Sequence, residues 1–187
     1  KIFFKEPILG LKPLKNDKIK PVKILYVSTI DHYKNQDKVS KAIKILRKKK
    51  YNVELDLVGN SYPPALKYLK EIIYNLKLPS NVIKYHGAVH YQELKNYYNN
   101  ADIFVFASTC ETFGQILVEA MASGRSIACS NKSAMPEILG NGGVYFNAKD
   151  PNSISQAIEV LINSQSRRES YQLRAFNKAK LYSWDNC

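Results

Sequence analysis

The segment Asp102–Ser123, D-I-F-V-F-A-S-T-C-E-T-F-G-Q-I-L-V-E-A-M-A-S, decides the fold because a buried strand leads directly into a helix. Residues 102–107 have the length and composition of a strand, and apolar side chains recur at helical spacing after Gly114. A helix start presents unpartnered N–H groups and a partial positive charge, so it suits an anion such as a diphosphate. The backbone amides expected to contact that anion belong to Thr112, Phe113, Gly114, Gln115 and Ile116.

Two glutamates flank this helix start. Glu111 lies in the turn before the helix, and Glu119 lies roughly 7–8 Å along the axis from Gly114 at a rise of about 1.5 Å per residue. Gly114 would let a ligand approach the backbone, and Thr112 or Glu111 would cap the helix. The two carboxylates could bracket a ligand whose phosphates rest on the helix start. The spacing alone is equally compatible with a capped core helix that carries two solvated glutamates.

The rest of the chain alternates short apolar runs with amphipathic segments. The predicted strands are 22–28, 53–58, 82–86, 103–107, 126–129 and 143–146. The predicted helices are 36–50, 66–76, 91–99, 114–123, 136–139, 151–162 and 167–180. This alternation predicts the α/β class, with a doubly wound parallel sheet in one Rossmann-like domain and a ligand at the carboxyl edge. No G-x-G-x-x-G follows the first strand, which argues against a dinucleotide-dependent dehydrogenase.

The domain is expected to span 22–187. The proline-bearing segment 1–21 is interpreted as an interdomain linker, with a short strand at Ile2–Phe4.

Composition excludes several classes of protein. The 187 residues are 45% hydrophobic, and no apolar run is long enough to cross a bilayer. The first residues lack the pattern of a signal peptide. Cys110, Cys129 and Cys187 have no metal-ligand spacing, so we expect reduced cytoplasmic thiols, two of them buried, and no disulfide framework.

The net charge of +12 is concentrated in the first 50 residues, which carry 15 Lys/Arg against 4 Asp/Glu. Such asymmetry could attract nucleic acid or the anionic face of a membrane. Solvated lysines on helix faces are the favoured explanation. No nucleic-acid-binding motif accompanies the basic residues, so we expect no nucleic-acid partner. Peripheral contact with a membrane stays an open alternative.

The segment from Glu111 to Glu119, E-T-F-G-Q-I-L-V-E, resembles the E-x7-E motif of GT4-type retaining glycosyltransferases, which have the GT-B fold. Residues 97–108, Y-Y-N-N-A-D-I-F-V-F-A-S, and 119–130, E-A-M-A-S-G-R-S-I-A-C-S, are similar to the family sequences on either side of it. The later M-P-E-I and N-G-G-V, at 135–138 and 141–144, are similar to its P-E-I and G-G segment. The resemblance spans roughly 22–184.

This resemblance implies a role for each matching residue. Glu111 would be the catalytic residue at the donor sugar, Glu119 would bind the ribose hydroxyls, and Lys34 would reach the donor diphosphate. Thr29 stands where the family usually has an arginine, which puts diphosphate affinity in doubt. Further donor contacts are implied for a glycine loop and for the nucleobase segment 86–90, namely at Gly59, Asn60 and Val89. No metal and no other cofactor is implied, since the nucleotide-diphosphate sugar, UDP- or GDP-linked, is the substrate.

The resemblance also implies a larger enzyme. The chain would be the C-terminal, donor-binding half of a hexosyltransferase for polysaccharide biosynthesis, and the N-terminal acceptor domain is absent from it. That domain would bind a glycan or lipid-linked acceptor, so the fragment alone should bind but hardly turn over. We expect a cytoplasmic protein, with peripheral contact at the inner face of the membrane as a possibility. The alternative is a catalytically degenerate nucleotide-sugar-binding or scaffolding domain, suggested by Thr29.

Overall fold

The computed structural model describes residues 3, 5–7, 14 and 20–182. Ile2 and Phe4 of the predicted first strand lie outside the described residues, as do most residues of the predicted linker. From residue 22 onward, strands and helices alternate as the sequence predicts.

The element boundaries agree with the predicted ones to within one helical turn. The strands are β1 (Val22–Val27), β2 (Val53–Val58), β3 (Ile83–Tyr85), β4 (Ile103–Phe106), β5 (Ser126–Ser130) and β6 (Val144–Phe146). The helices are α1 (Gln36–Lys48), α2 (Pro63–Asn75), α3 (Tyr91–Asn100), α4 (Gln115–Ala122), α5 (Met135–Leu139), α6 (Pro151–Asn163) and α7 (Gln165–Ala179). A 3-10 turn that the sequence analysis did not anticipate, His32–Lys34, precedes α1.

The six strands form one parallel sheet in the order β3-β2-β1-β4-β5-β6. β1 lies at its centre, with Ile24 opposite Leu55 of β2 on one side and opposite Ile103 of β4 on the other. The strand order therefore reverses between β1 and β4. In a doubly wound sheet a ligand crevice opens at the carboxyl ends of the two strands where the order reverses. The predicted fold class is confirmed, and it directs attention to the loops after β1 and β4.

The core lies on both sides of the sheet. All four residues of β4 are buried, as expected for a parallel strand covered on both faces. Helix α1 packs against α2 and α6, while α4 packs against α5 and α7. The apolar stripe of α1 is fully buried, and its members are Val39, Ala42, Ile43 and Leu46. The helix faces thus follow the 3.6-residue period that the sequence predicts.

Two predictions from composition bear on the described residues. Cys129 is buried and Cys110 is exposed, whereas Cys187 lies outside the described part of the chain. Among the helices described, none combines the length and the apolar character that crossing a membrane requires.

Candidate functional site

The loops after β1 and β4 are tied together at the crevice. The Asn35 side-chain amide donates to the backbone oxygens of Tyr33 and Ala107, each at 2.9 Å. The Thr109 amide also donates to Tyr33 O, at 2.9 Å. Asn35 has φ of 54°, a left-handed conformation that asparagine tolerates better than most residues. These bonds hold the 3-10 turn against the segment that leads to Glu111.

Lys34 is buried by this arrangement and its ammonium forms an ion pair with Glu111. The Lys34 Nζ atom also lies 4.8 Å from the centre of the Tyr33 ring. The backbone oxygen of Lys34 accepts a 2.6 Å hydrogen bond from Tyr26 Oη, so the backbone of Lys34 is also bonded to strand β1. The family resemblance implies separate parts of a donor for Lys34 and Glu111, the diphosphate and the sugar. The structure brings the two side chains into direct contact.

Ser133 fixes the backbone of Glu111. Its hydroxyl donates to Glu111 O at 2.6 Å and lies 3.1 Å from Glu111 N, which donates to it. Ser133 itself has φ of 56° in the loop between β5 and α5. Sequence reasoning missed this residue, and no motif around it would have revealed the contact. Glu111 is therefore positioned through its side chain by Lys34 and through its main chain by Ser133.

The start of α4 differs from the prediction in one respect. Gly114 is the N-cap residue, with φ of 73° and ψ of 50°, and no side chain caps the helix. The expectation that Thr112 or Glu111 would cap it was wrong, because Glu111 is engaged by Lys34 and the chain enters the helix through a left-handed glycine. The first backbone donor of α4 with an acceptor among the described residues is Leu117 N, which bonds Gly114 O at 2.8 Å. The preceding amides thus stay available to an anion.

Glu119 is one turn further along α4 and is only 8% exposed. Tyr98 Oη donates to its Oε2 at 3.3 Å, and Tyr91 Oη donates to its Oε1 at 3.4 Å. The side-chain amide of Gln115 donates to Oε1 at 3.4 Å. Burial raises the pKa of the Glu119 carboxyl, and the three hydrogen bonds partly offset that rise. The tyrosines were not predicted as site residues, although Tyr98 is the second residue of the quoted segment 97–108.

One cavity of about 500 Å³ brings together Glu111, the start of α4 and Glu119. Its volume is in the range of ligand sites in proteins. Its walls are formed by Val27, Tyr91, Leu94, Phe106, Glu111, Thr112, Phe113, Gly114, Gln115, Ile116 and Glu119. Seven of the residues predicted from the sequence therefore line a single cavity.

The remaining predicted donor residues do not line this cavity. Within the described chain, its walls do not include Lys34, Gly59, Asn60 or Val89. Gly59 N donates to Gly87 O at 2.8 Å, which joins the loops after β2 and β3. Asn60 is exposed, and Val89 is half-buried against the core. These residues remain predicted contacts at the same edge of the sheet.

Thr29, at the position of the family arginine, is exposed at the end of β1. His32, on the 3-10 turn, has its ring 6.0 Å from the Tyr68 ring of α2. No group of three or more His, Cys, Asp or Glu side chains suited to a metal ion occurs in the part of the chain that the structure describes. Lys34 is thus the cation that the structure brings to Glu111.

A second cavity, of about 380 Å³, lies against the other end of α3. His86 lines it, with Nε2 2.6 Å from Asp56 Oδ1 and its ring 5.2 Å from that of Tyr97. This arrangement agrees with ordinary packing of His86 at a strand end.

Comparison with known proteins identifies the family. The chain matches the family model "Glycosyl transferases group 1" over residues 12–178, and it belongs to that family. It is 36% identical over 105 residues to O-antigen chain mannosyltransferase B of Escherichia coli, covering 56% of this chain and 28% of the relative. It is 29% identical over 167 residues to an uncharacterized glycosyltransferase of Methanocaldococcus jannaschii, covering 87% and 42% of the two chains. The chain thus spans less than half the length of these curated relatives.

Solved structures support the fold assignment. The C-terminal domain of a glycosyl transferase group 1 family protein from Francisella tularensis superposes with a TM-score of 0.79 at 24% identity, covering 96% of this chain and 94% of that domain. Anabaena HepE, solved in complex with UDP and glucose, gives a TM-score of 0.78 at 20% identity over 86% of this chain and 44% of that one. The described fold is therefore that of the C-terminal half of a GT-B glycosyltransferase.

Proposed function

We propose that this chain is the donor-binding domain of a retaining glycosyltransferase, which moves a sugar from a nucleotide-diphosphate sugar to an acceptor hydroxyl. The cavity that unites Glu111, the start of α4 and Glu119 carries this proposal. It presents a carboxylate, a set of free amides and a second carboxylate in the order in which a nucleotide sugar presents its sugar, diphosphate and ribose.

The start of α4 would bind the diphosphate. When the bond between the anomeric carbon and the phosphate oxygen breaks, the departing diphosphate gains negative charge, and donors already aimed at it lower the barrier. The amides from Thr112 to Ile116 provide such donors together with the partial positive charge of the helix start. Lys34 would add a full charge, since an ammonium has three N–H donors and can bond a phosphate oxygen without leaving Glu111.

Glu119 would bind the ribose. A carboxylate offers about four lone-pair sites for hydrogen bonds, and three donors already reach Glu119. The remaining acceptor capacity, at the wall of the cavity, suits a ribose hydroxyl. The other carboxylate, Glu111, would then lie at the donor sugar, where a retaining reaction forms the new bond on the face that the leaving group vacates.

The relatives support a sugar-nucleotide substrate. One curated relative is a mannosyltransferase of O-antigen chains, and HepE was solved with UDP and glucose. We propose a UDP- or GDP-linked donor and no metal or other cofactor. The acceptor would be a glycan or a lipid-linked sugar, bound by an N-terminal domain, which makes the isolated chain a poor catalyst.

We further propose a cytoplasmic protein with peripheral contact at the inner face of the membrane. Helix α1 and the residues just after it, 36–50, carry seven Lys/Arg against one Asp, a charge that anionic lipids attract. Sedimentation with anionic and with neutral vesicles tests this contact, and equal binding to both would contradict it.

A second candidate function is a catalytically degenerate nucleotide-sugar-binding or scaffolding domain. The exposed Thr29 favours it, because threonine provides no charge for the diphosphate. Transfer or donor hydrolysis above background by the full-length protein would exclude this alternative.

The experiment that tests the proposal is a calorimetric titration of the chain with UDP, GDP and ADP and with one sugar-linked form of each. We expect one nucleobase to bind preferentially, and Glu119→Gln and Lys34→Met each to weaken that binding by about tenfold or more. Glu159→Gln, a change at a surface ion pair on α6, is the matched control and should leave the affinity unchanged. Unchanged affinity in both site variants would refute the assignment of the site.

A further inference from the structure

We infer that Phe3, Tyr91 and Tyr98 are positioning residues that set the ribose affinity of Glu119. Through Phe3, the N-terminal segment would control the donor site. This inference rests on the proposed function and adds a means of regulating the same site.

Two tyrosines of α3 contact the Glu119 carboxylate from one side. Tyr98 is fully buried and bonds Oε2, while Tyr91 is half-exposed at the cavity wall and bonds Oε1. Each carboxylate oxygen thus has its own tyrosine. Because the bonds are 3.3 and 3.4 Å long, small movements of either ring would break them.

Phe3 packs against both rings. Its centroid lies 5.2 Å from that of Tyr91 and 5.4 Å from that of Tyr98, with interplanar angles of 89° and 76°. These edge-to-face contacts are the favoured geometry of aromatic pairs. Phe3 is 7% exposed, so its ring fills the space beside the two tyrosines. Removing the ring would leave a space into which the tyrosines could turn away from Glu119.

The N-terminal segment, described at Phe3 and at residues 5–7, also contacts α4. Lys5 N donates to Ala122 O, in the last turn of that helix, at 2.9 Å. Gly124, with φ of 66°, gives it room, because a Cβ at this position would lie 2.8 Å from Lys5 O. The segment therefore contacts both α3, which holds the tyrosines, and α4, which holds Glu119. A displacement of Phe3 and Lys5 would therefore alter the tyrosine contacts of Glu119.

The test compares a nucleoside diphosphate with its 2′,3′-dideoxy analogue, using the base that binds the chain best. The ratio of the two affinities reports the hydroxyl contact alone. For the unmodified chain we expect a ratio of about tenfold or more, the value of a hydrogen bond to a charged group. Phe3→Ala and Tyr98→Phe should each reduce the ratio to about threefold or less while the affinity for the dideoxy analogue stays constant.

Phe146→Leu is the control for general loss of stability. Phe146 is buried in the edge strand β6, so this variant weakens the core but should keep the full ratio. Phe3→Leu keeps an apolar side chain without the ring and should behave like Phe3→Ala even if the alanine variant folds poorly. If Phe3→Leu and Tyr98→Phe keep the affinity ratio of the unmodified chain while Glu119→Gln lowers it, this inference is wrong but the proposed function still stands. A full ratio in Glu119→Gln, or no binding by the unmodified chain, would refute the proposed function as well.

Discussion

Lys34 and Glu111 are 77 residues apart in the sequence, and their side chains, 7% and 16% exposed, form an ion pair beside the start of α4. The pair joins the loop after β1 to the loop after β4, which are the two loops at the reversal of strand order. It therefore lies at the carboxyl edge of the sheet, where Glu111 lines the proposed donor cavity. Each group is the ionic partner of the other, and a bound diphosphate would share Lys34.

We expect Lys34→Met to lower the free energy of unfolding by about 1–3 kcal/mol, because Glu111 would remain largely buried without its partner. The double variant Lys34→Met/Glu111→Gln should lose less free energy of unfolding than the sum of the losses in the two single variants. Urea denaturation of the four proteins in a double-mutant cycle measures this coupling.

Lys38→Met is the control for this cycle, since Lys38 pairs with the adjacent Asp37 and is 28% exposed. It should change the free energy of unfolding by less than about 1 kcal/mol. Strictly additive losses for Lys34 and Glu111 would contradict a coupled pair.

Burial of Glu119 predicts opposite effects of pH on stability and on binding. Its pKa in the folded chain is raised above the ordinary value of 4.5, so the folded state holds this proton more tightly than the unfolded state. As the pH falls through that raised pKa, Glu119 should therefore stabilise the fold more, and its contribution should level off below 4.5. Ribose binding needs the carboxylate and should weaken over the same window.

Unfolding free energies of the unmodified chain and Glu119→Gln, measured across this pH window, isolate the first effect. Titrations of the same two proteins with a nucleoside diphosphate isolate the second, because the terminal phosphate, with a pKa of about 6, titrates alike in both. If the affinity of the unmodified chain, relative to Glu119→Gln, stays constant down to the ordinary glutamate pKa, then ionised Glu119 does not accept a hydrogen bond from the ligand.

Gly59 is expected to be intolerant of a side chain. Its φ is 140°, and a Cβ would lie 2.2 Å from Ser28 O at the end of β1. Gly59→Ala should therefore lower the free energy of unfolding by more than about 2 kcal/mol. Gly87 also has a positive φ, of 73°, but no described atom lies within 4 Å of a Cβ there, so Gly87→Ala should cost only about 1 kcal/mol. Equal losses in the two variants would mean that backbone conformation, and not the contact with Ser28, decides.

The two cysteines described should differ in reactivity. Cys110 is exposed next to Glu111, whereas Cys129 is buried in β5, where burial raises the pKa of its thiol far above the ordinary value. Alkylation by iodoacetamide followed by peptide mapping should modify Cys110 in the native chain, and Cys129 only after denaturation. Rapid native modification of Cys129 would show that β5 opens readily.

Periodicity predicted the fold because each strand and helix carries its own local signal. The buried run of β4 and the apolar stripe of α1 are complete within a few residues, and both formed as predicted. Gly114 was predicted at the helix start for close approach of a ligand. In the structure its left-handed φ is what requires glycine, while a Cβ there would contact Met135 at 3.5 Å.

Contacts within the site were less predictable, because the strand order creates them. The neighbours β1 and β4 are separated by two other strands in the sequence, so the pairing of Lys34 with Glu111 has no local signal. The same holds for Ser133 at Glu111 and for the tyrosines at Glu119. Sequence identified Lys34 and the residues that face the cavity, but not the contacts that hold them in place.

The most direct measurement is an NMR titration of the ¹⁵N-labelled chain with a nucleoside diphosphate and with the corresponding nucleoside. If the diphosphate lies at the start of α4, the amides of Gly114, Gln115 and Ile116 should shift strongly with the diphosphate and only weakly with the nucleoside. If the amide chemical shifts of these three residues do not change, and the changes are centred on the second cavity around His86 instead, the proposed donor site is contradicted.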